Sequence, residues 1–190
     1  MSTNKRQQQK INQLLSELNS GQEASISTAL KALQVNGDAS VIEPLATVLL
    51  GQLSDKNRRE VHEFLSTLND TSTIEPLIEV LKDERFLLVR QELLSCMWNN
   101  KLDYSYYLPE FVAIAAEGNF MEAIDCLTIM ENLEGPFEER HILESQLHLR
   151  DYLEDKGPKD DKHAQIMSEI ALLLKDFDQM DDDDIDFYNA

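Results

Sequence analysis

The stretch Gly37-Asp-Ala-Ser-Val-Ile-Glu-Pro-Leu-Ala-Thr-Val-Leu49 decides the fold, because it returns as Asn69-Asp-Thr-Ser-Thr-Ile-Glu-Pro-Leu-Ile-Glu-Val-Leu81. Eight of the thirteen positions are identical at an offset of 32 residues. A weaker third copy places Asp103, Ser105 and Pro109 at an offset of 33 from their counterparts in the second copy. Self-similarity at this period is typical of stacked helical units.

Each copy has the features of a helix start followed by one apolar helix face. Asp38 and Ser40, like Asp70 and Ser72, supply side-chain oxygens that can accept the free amide hydrogens of a helix start. The Pro of each copy falls in the first helical turn, where a missing N–H costs little. Apolar residues then recur at helical spacing, as Ile42, Leu45, Val48 and Leu49 and as Ile74, Leu77, Ile78 and Leu81. Such a stripe is too narrow to form a core alone, so we expect neighbouring helix pairs to bury it by stacking.

The composition agrees with an all-α chain. Of the 190 residues 42% are hydrophobic, only six are Gly and five are Pro, and no stretch alternates with the period of a strand. The repeat predicts an α-solenoid of about four to five antiparallel helix pairs, closed by C-terminal capping helices. We expect a disordered N-terminus at residues 1–8, helical repeats at 9–133, capping helices at 137–177 and a disordered acidic tail at 178–190.

The charge balance restricts the partners. The chain has 36 acidic and 17 basic residues, and its formal net charge is −19. Because phosphate binding draws on clustered Lys and Arg, we expect no nucleic-acid partner and no contact with an anionic membrane surface. A protein with a basic surface is the partner that this charge favours.

The expected location is the cytoplasm. The polar stretch from Met1 to Lys10 has no apolar run typical of a signal peptide, and no stretch reaches the ~18 apolar residues of a membrane span. Cys96 and Cys126 lie in apolar helical contexts, which predicts buried, reduced side chains. Two isolated cysteines define neither a disulfide framework nor a metal site.

Further residues recur beside the Ile-Glu-Pro-Leu motif that begins at Ile42 and at Ile74. A turn Asp, Asp83, precedes the pair Val89-Arg90, which opens the second helix of its helix pair. In these features residues 10–133 resemble HEAT-like repeats, the short helical-pair repeats also found in phycobilisome-lyase-type proteins. The Trp, Leu-Gly and Tyr positions of tetratricopeptide repeats, which have a similar length of ~34 residues, are not found here.

The resemblance has two implications for function. It implies that a concave wall of parallel second helices binds a protein partner. It also implies that Arg90 pairs with a turn Asp of the neighbouring unit, with a partner contact as the alternative. The other copies depart from the pattern, since Asp55 precedes Arg58-Arg59 less cleanly and Asn119 is followed by no Arg.

Aromatic residues flank the longest turn between repeats, and these are Trp98, Tyr104, Tyr106 and Tyr107. Aromatic side chains with polar tips are favoured at interfaces. We therefore regard the four residues as candidates for partner binding, with packing between repeats as the alternative.

The C-terminal stretch mixes acidic and apolar residues. Phe187 and Tyr188 follow an Asp run, Asp181–Asp184, that lacks the Gly and closing Glu of a calcium loop. Acidic-hydrophobic segments can order on a basic, apolar-lined groove, so both aromatic residues are candidates for partner binding. The alternative is an inert solubilising tail.

The most metal-like set is His141, Glu144 and His148, whose spacing places them on one side of a helix. Glu138 adds a Glu-x-x-His motif, but di-iron bundles need two such motifs. The three residues turn away from the apolar face, so we expect a solvated polar face without metal. We likewise expect His62 and His163 at the surface, with weak pairing to Glu.

The sequence therefore predicts a non-enzymatic scaffold or adaptor that binds another protein without a cofactor. No Gly-x-Ser-x-Gly elbow, Cys/His signature or Gly-rich phosphate loop is present. The alternative is a lyase-like or metal-dependent enzyme or chaperone on the same helical scaffold, which would need a deep apolar pocket with converging polar groups.

Overall fold

The computed structural model describes residues 2–18, 22–157 and 160–187. Within these ranges the chain forms ten α-helices and no strand, which confirms the all-α class. In chain order the helices are α1 (Ser2–Leu18), α2 (Glu23–Asn36), α3 (Ile42–Leu50), α4 (Asp55–Ser66), α5 (Ile74–Lys82), α6 (Arg90–Met97), α7 (Leu108–Glu117), α8 (Phe120–Met130), α9 (Glu139–Glu154) and α10 (Asp161–Phe187). None of these described helices is both long and apolar enough to cross a membrane.

The helices form two compact units, an N-terminal unit of Met1–Leu102 and a C-terminal unit of Asp103–Ala190. The third copy of the repeat thus lies with α9 and α10, although we expected it to lie with the earlier repeats. The break at residues 134–136 explains this, because after it the chain returns and α9 packs on α7. The helices α7 to α10 therefore share one core.

The repeated helix starts in the N-terminal unit are capped by aspartates. The Asp38 carboxylate accepts a hydrogen bond from the Ser40 amide at 3.0 Å, and the Asp70 carboxylate accepts one from the Ser72 amide at 2.9 Å. Each cap begins a single 3-10 turn that leads into α3 or α5. The expected Asp caps are confirmed, whereas the Ser40 hydroxyl donates to Asp38 instead of accepting an amide hydrogen.

In the N-terminal unit each helix packs on its counterpart in the next pair. The helix α3 packs on α1 and α5, while α4 packs on α2 and α6. Most of the repeated apolar positions of α3 and α5 are buried, and Ile74 is half-buried. The deepest are Ile42, Leu45, Leu49, Leu77, Ile78 and Leu81. Burying each such side chain contributes about 1.5–3 kcal/mol, so the stripe supplies the stacking surface that its spacing predicts.

The C-terminal unit has a core made by all four of its helices. The helix α7 packs on α8 and α9, and α10 packs on α8 and α9 in turn. The rings of Phe137 and Phe177 stack at a centroid distance of 4.0 Å. Cys126 is buried in this unit and Cys96 in the other, and both are free thiols as expected.

Both chain ends are more helical than we expected. The helix α1 begins at Ser2, and α10 continues to Phe187, ten residues beyond the predicted helix end at Phe177. These boundaries correct the prediction of disordered segments at 2–8 and 178–187. The physical reason is that neither Gly nor Pro interrupts either helix, and the N-terminal helix is rich in helix-favouring Gln, Lys, Arg and Leu.

Candidate protein-binding surfaces

Polar side chains connect α2 to α4 at a spacing of about one repeat. Asn57, which is buried, donates from Nδ2 to the Glu23 carbonyl at 3.2 Å and to the Ser27 hydroxyl at 3.2 Å. The Ser27 hydroxyl donates in turn to the Glu60 carboxylate. These bonds join residues that are 30 to 34 positions apart.

The same spacing connects α4 to α6. Arg58 forms an ion pair with Glu92, 34 residues later, and donates to the Leu49 carbonyl at 2.9 Å. The His62 ring nitrogen Nε2 and the Ser95 hydroxyl are 3.1 Å apart, and the Cys96 thiol donates to the His62 carbonyl at 3.8 Å. We call this set of contacts along α2, α4 and α6 the polar ladder.

Sequence reasoning missed the polar ladder. We expected His62 to lie at the surface and pair with Glu, but it is half-buried between the hydroxyls of Ser66 and Ser95. The signal was present as polar residues recurring at a spacing of 33 to 34. It could not be separated from a solvated face, because burial depends on which helix packs opposite.

The ladder also perturbs one carboxylate. The hydrogen bond from Ser27 holds the pKa of Glu60 below its ordinary value, and the Asn57 amide and the charge of Lys56 act in the same direction against burial. The charged form of Glu60 is thus the one that joins the two helices.

The turn before α6 contains a second ion-pair network. Asp83 accepts hydrogen bonds from the Arg85 amide at 2.9 Å and from its guanidinium Nε at 2.8 Å, which lowers the pKa of Asp83. The Arg85 guanidinium also forms an ion pair with Glu43 of α3, the first helix of the preceding helix pair, at 2.9 Å. Arg90 begins α6 and is half-buried, and its pairing with a turn Asp stays a prediction.

Of the aromatic candidates, Trp98 and Tyr106 are exposed. Trp98 directly follows α6 and is 41% exposed, and Tyr106 is 56% exposed. Tyr104 corrects the expectation, because it is buried and its ring packs edge-on against Phe111 at 5.8 Å. Tyr104 precedes the 3-10 turn of Ser105–Tyr107, and Tyr106 lies within that turn. Tyr107 is half-buried with its ring edge-on to Tyr106 at 5.4 Å.

The prediction that His141 lies on a solvated face of α9 is wrong. This side chain is only 6% exposed, and its ring lies 4.6 Å from the Tyr106 ring in an edge-on arrangement. It shares the buried face of α9 with Ile142 and Ser145, because that face packs on α7. Glu144 is exposed and His148 is half-buried, so the three residues do not share one environment. Within the described part of the chain, no three His, Cys, Asp or Glu residues are grouped to hold a metal ion.

Tyr106 links the aromatic turn to the exposed face of α9. The Arg140 guanidinium donates to the Tyr106 hydroxyl at 2.8 Å and lies 5.3 Å from the centre of its ring. The Glu138 carboxylate forms an ion pair with the Arg140 Nε at 2.7 Å. The Tyr106 hydrogen bond and the Glu138 charge both raise the pKa of Arg140. One and two turns further along α9, Leu143 and Leu147 are 52% and 48% exposed. We call Tyr106, Arg140, Leu143 and Leu147 the α9 stripe.

A cleft of about 450 Å³ lies between α7 and α9. It is lined by Ala113, Ala116, Glu117, His148, Asp151, Tyr152 and Asp155. Near it, His163 of α10 bonds through Nε2 to the Ala115 carbonyl at 2.7 Å, and its ring is edge-on to Tyr152. His163 is therefore half-buried, where we expected a surface position, because α10 packs on α7.

The two units differ sharply in charge. Residues 1–102 hold 13 acidic and 11 basic residues, a net charge of −2, whereas residues 103–190 hold 23 and 6, a net charge of −17. The negative charge that favours a basic partner is thus concentrated in the C-terminal unit.

The candidates in the C-terminal stretch cannot be placed as surfaces. The backbone of Phe187 ends α10, but its side chain is outside the described part, and Tyr188 lies outside the described residues altogether. The chain matches no protein-family model, no curated protein and no solved structure.

Proposed function

We propose that the chain is a non-enzymatic scaffold, an α-solenoid of HEAT-like repeats that binds a protein with a basic surface in the cytoplasm. The C-terminal residues, with Phe187 and Tyr188, would provide a second contact. A tethered second contact adds affinity through effective concentration. Two free buried thiols agree with a reducing compartment.

The polar ladder is the observation that carries the proposal. Its contacts join residues 30 to 34 positions apart on three successive second helices. A chain in which each second helix bonds to the next at about one repeat length packs these helices side by side as an extended surface. Such surfaces bind long stretches of a partner without a single deep pocket.

Exposed aromatic residues and charge support the choice of a protein as the partner. Trp98 and Tyr106 present large side chains to solvent, and residues of this type carry much of the binding energy at protein interfaces. The net charge of −17 in the C-terminal unit favours a basic partner and speeds its association.

The alternative, a lyase-like or metal-dependent enzyme or chaperone, is favoured by one observation. The cleft between α7 and α9 brings His148, Asp151 and Tyr152 to one opening of about 450 Å³. Elemental analysis of the purified chain tests the metal-dependent form, which requires stoichiometric zinc or iron.

The experiment that tests the proposal compares partner capture by three forms of the chain. The full chain, Trp98→Ala and a form without residues 179–190 are used as baits, and each captured protein is purified and titrated back. We expect a basic partner whose affinity falls in both altered forms. Leu172→Ala, an exposed apolar change on α10, is the matched control. Unchanged partner recovery in both altered forms would contradict the proposed surfaces.

A further inference from the structure

We propose that the α9 stripe is a docking surface for an amphipathic, basic helix of the partner. The inference rests on the proposed function and specifies its site and partner chemistry. Four residues form the surface: Tyr106 in the 3-10 turn before α7, and Arg140, Leu143 and Leu147 on α9.

The geometry of the stripe matches a helix-binding surface. Leu143 and Leu147 are one turn apart and lie opposite the face of α9 that buries His141, Ile142 and Ser145. Tyr106 extends the apolar surface at one end, because its ring lies against Arg140 and His141. Apolar anchors at such helical spacing are the contacts by which an amphipathic helix is recognised.

Leu143 and Leu147 expose two apolar side chains in the middle of one face of α9. On the buried face of the same helix, apolar positions lie against α7 and α10. Scattered exposed leucines are ordinary, but here the two lie one helical turn apart on the same face. Arg140, which contacts the Tyr106 ring, precedes the two leucines along α9.

The acidic residues around the α9 stripe favour a basic partner helix. Glu139, Glu144 and Glu154 are exposed beside the stripe, and Asp151 follows Leu147 by one turn. Arg140 is already paired with Glu138, and Arg150 lies 3.9 Å from Asp151. A second copy of this chain would bring another unit of net charge −17 against this face. A helix carrying Lys or Arg beside its apolar face is complementary.

The cleft between α7 and α9 fixes where the partner's basic residue lies. Asp151 borders both the stripe and the cleft, and Glu117 and Asp155 line the cleft with it. The distance along α9 from Leu147 to Asp151 is about 6 Å at 1.5 Å per residue. The partner helix therefore carries two apolar residues at a spacing of three or four, and a Lys or Arg about one turn beyond them.

A titration of the full chain with synthetic peptides tests this inference. The probe is a fluorescent helical peptide of Leu, Ala and Lys with the described spacing, and binding is followed by anisotropy. Two comparison peptides replace every Lys by Glu, or keep the composition but distribute Leu around the helix. We expect saturable binding of the first peptide only.

Matched variants locate the contact. Leu143→Gln with Leu147→Gln should weaken binding at least about tenfold, because it removes apolar contact without changing charge. Leu153→Gln with Leu172→Gln alters two leucines that are also exposed but lie off the stripe, and should change affinity less than about twofold. Asp151→Asn with Glu117→Gln should weaken binding severalfold and reduce its salt dependence.

Three results would overturn the inference: no binding of the amphipathic basic peptide, equal binding of the acidic peptide, or equal losses in the two leucine variants. A native partner whose binding is unaffected by Leu143→Gln with Leu147→Gln would also overturn it, while leaving the proposed function standing. Failure of the wild-type chain to bind any protein would instead contradict the proposed function.

Discussion

The two units of the chain use different kinds of side-chain contact to join their helices. In the N-terminal unit, successive second helices are joined by the polar ladder, whose bonds recur at about one repeat length. In the C-terminal unit, aromatic contacts dominate, including Tyr104 on Phe111 and Phe137 on Phe177. The first unit has a net charge of −2 and the second of −17.

The difference between the two units shows where the regular packing of the repeats ends along the chain. Contacts at one repeat length can recur only where the repeat spacing is kept, as it is from α2 to α6. After residues 134–136 the chain departs from this order, and α9 packs on α7 as a helix outside the repeat. The irregular unit is the one that exposes an apolar stripe amid acidic residues. The regular unit is thus joined by contacts that recur along the chain, whereas the irregular unit is not.

The largest expected effect comes from removing the core of one unit. Phe111→Ala should lower the free energy of unfolding of the C-terminal unit by about 3–5 kcal/mol, because Phe111 is fully buried and leaves a cavity. Hydrogen exchange of individual amides should accelerate in α7 to α9 and stay slow in α3 to α5. Leu45→Ala should give the reverse pattern. Equal acceleration of exchange in both units for both variants would contradict the claim that each unit has its own core.

A smaller effect is expected from breaking the polar ladder at its buried member. Asn57→Ala should cost about 1–3 kcal/mol, since it removes a buried amide that donates to partly buried partners on α2 and α4. Asn99→Ala is the matched control, because Asn99 is exposed and donates only to a carbonyl in its own helix end. Urea unfolding measures both. A cost for Asn57→Ala no larger than that of the control would show that the ladder does not stabilise the unit.

The ion pair of the ladder should contribute less. A double-mutant cycle with Arg58→Gln and Glu92→Gln should give a coupling energy of about 0.5–1 kcal/mol, because both side chains are partly exposed. The cycle for Arg150 and Glu154 in the other unit, whose atoms are 4.0 Å apart at the surface, should give less than about 0.5 kcal/mol. A larger coupling energy for Arg150 and Glu154 than for Arg58 and Glu92 would contradict the stabilising role of the ion pair in the polar ladder.

The smallest expected effect is the pH dependence of the N-terminal unit. The pKa of Glu60 is held below its ordinary value of 4.5, so its contribution is present above that pH. The contribution is lost as the pH falls through the lowered value, because the unfolded chain binds the proton first. The urea midpoint measured by α2–α4 probes should fall between pH 5 and pH 3 by less in Glu60→Gln than in the wild type. Identical pH profiles would contradict the role of the Ser27 hydrogen bond.

Local signals predicted the regular part of this structure well. The Asp caps at Asp38 and Asp70, the apolar stripes of α3 and α5 and the break before α9 all follow from residue type and spacing. These features are set within a few residues of each other. A sequence reading can therefore reach them without knowing which helices meet.

The features that the sequence reading missed depend on which helices meet. His141 was expected to be solvated because its spacing turns it away from the apolar face of α9, but it is buried beside Ile142 and Ser145. Tyr104 and Tyr106 are alike in sequence, but Tyr104 is buried against Phe111 whereas Tyr106, in the 3-10 turn that follows, is exposed. Asn57 and Arg58 gained their importance only from residues on α2 and α6. Side-by-side packing of repeats converts polar surface positions into structural ones.

The central claim is that the repeated helices lie side by side in the same register, and spin-label distances test it most directly. Glu43 and Glu75 are exposed equivalents at an offset of 32 residues, as are Thr47 and Glu79 one turn later. Two doubly labelled chains, with the buried native cysteines replaced by Ala, would be compared by dipolar broadening in electron paramagnetic resonance. We predict equally strong broadening for both pairs, because parallel packed helices keep an axis separation of about 8–10 Å. Broadening in one pair but not the other, or in neither, would contradict the claim.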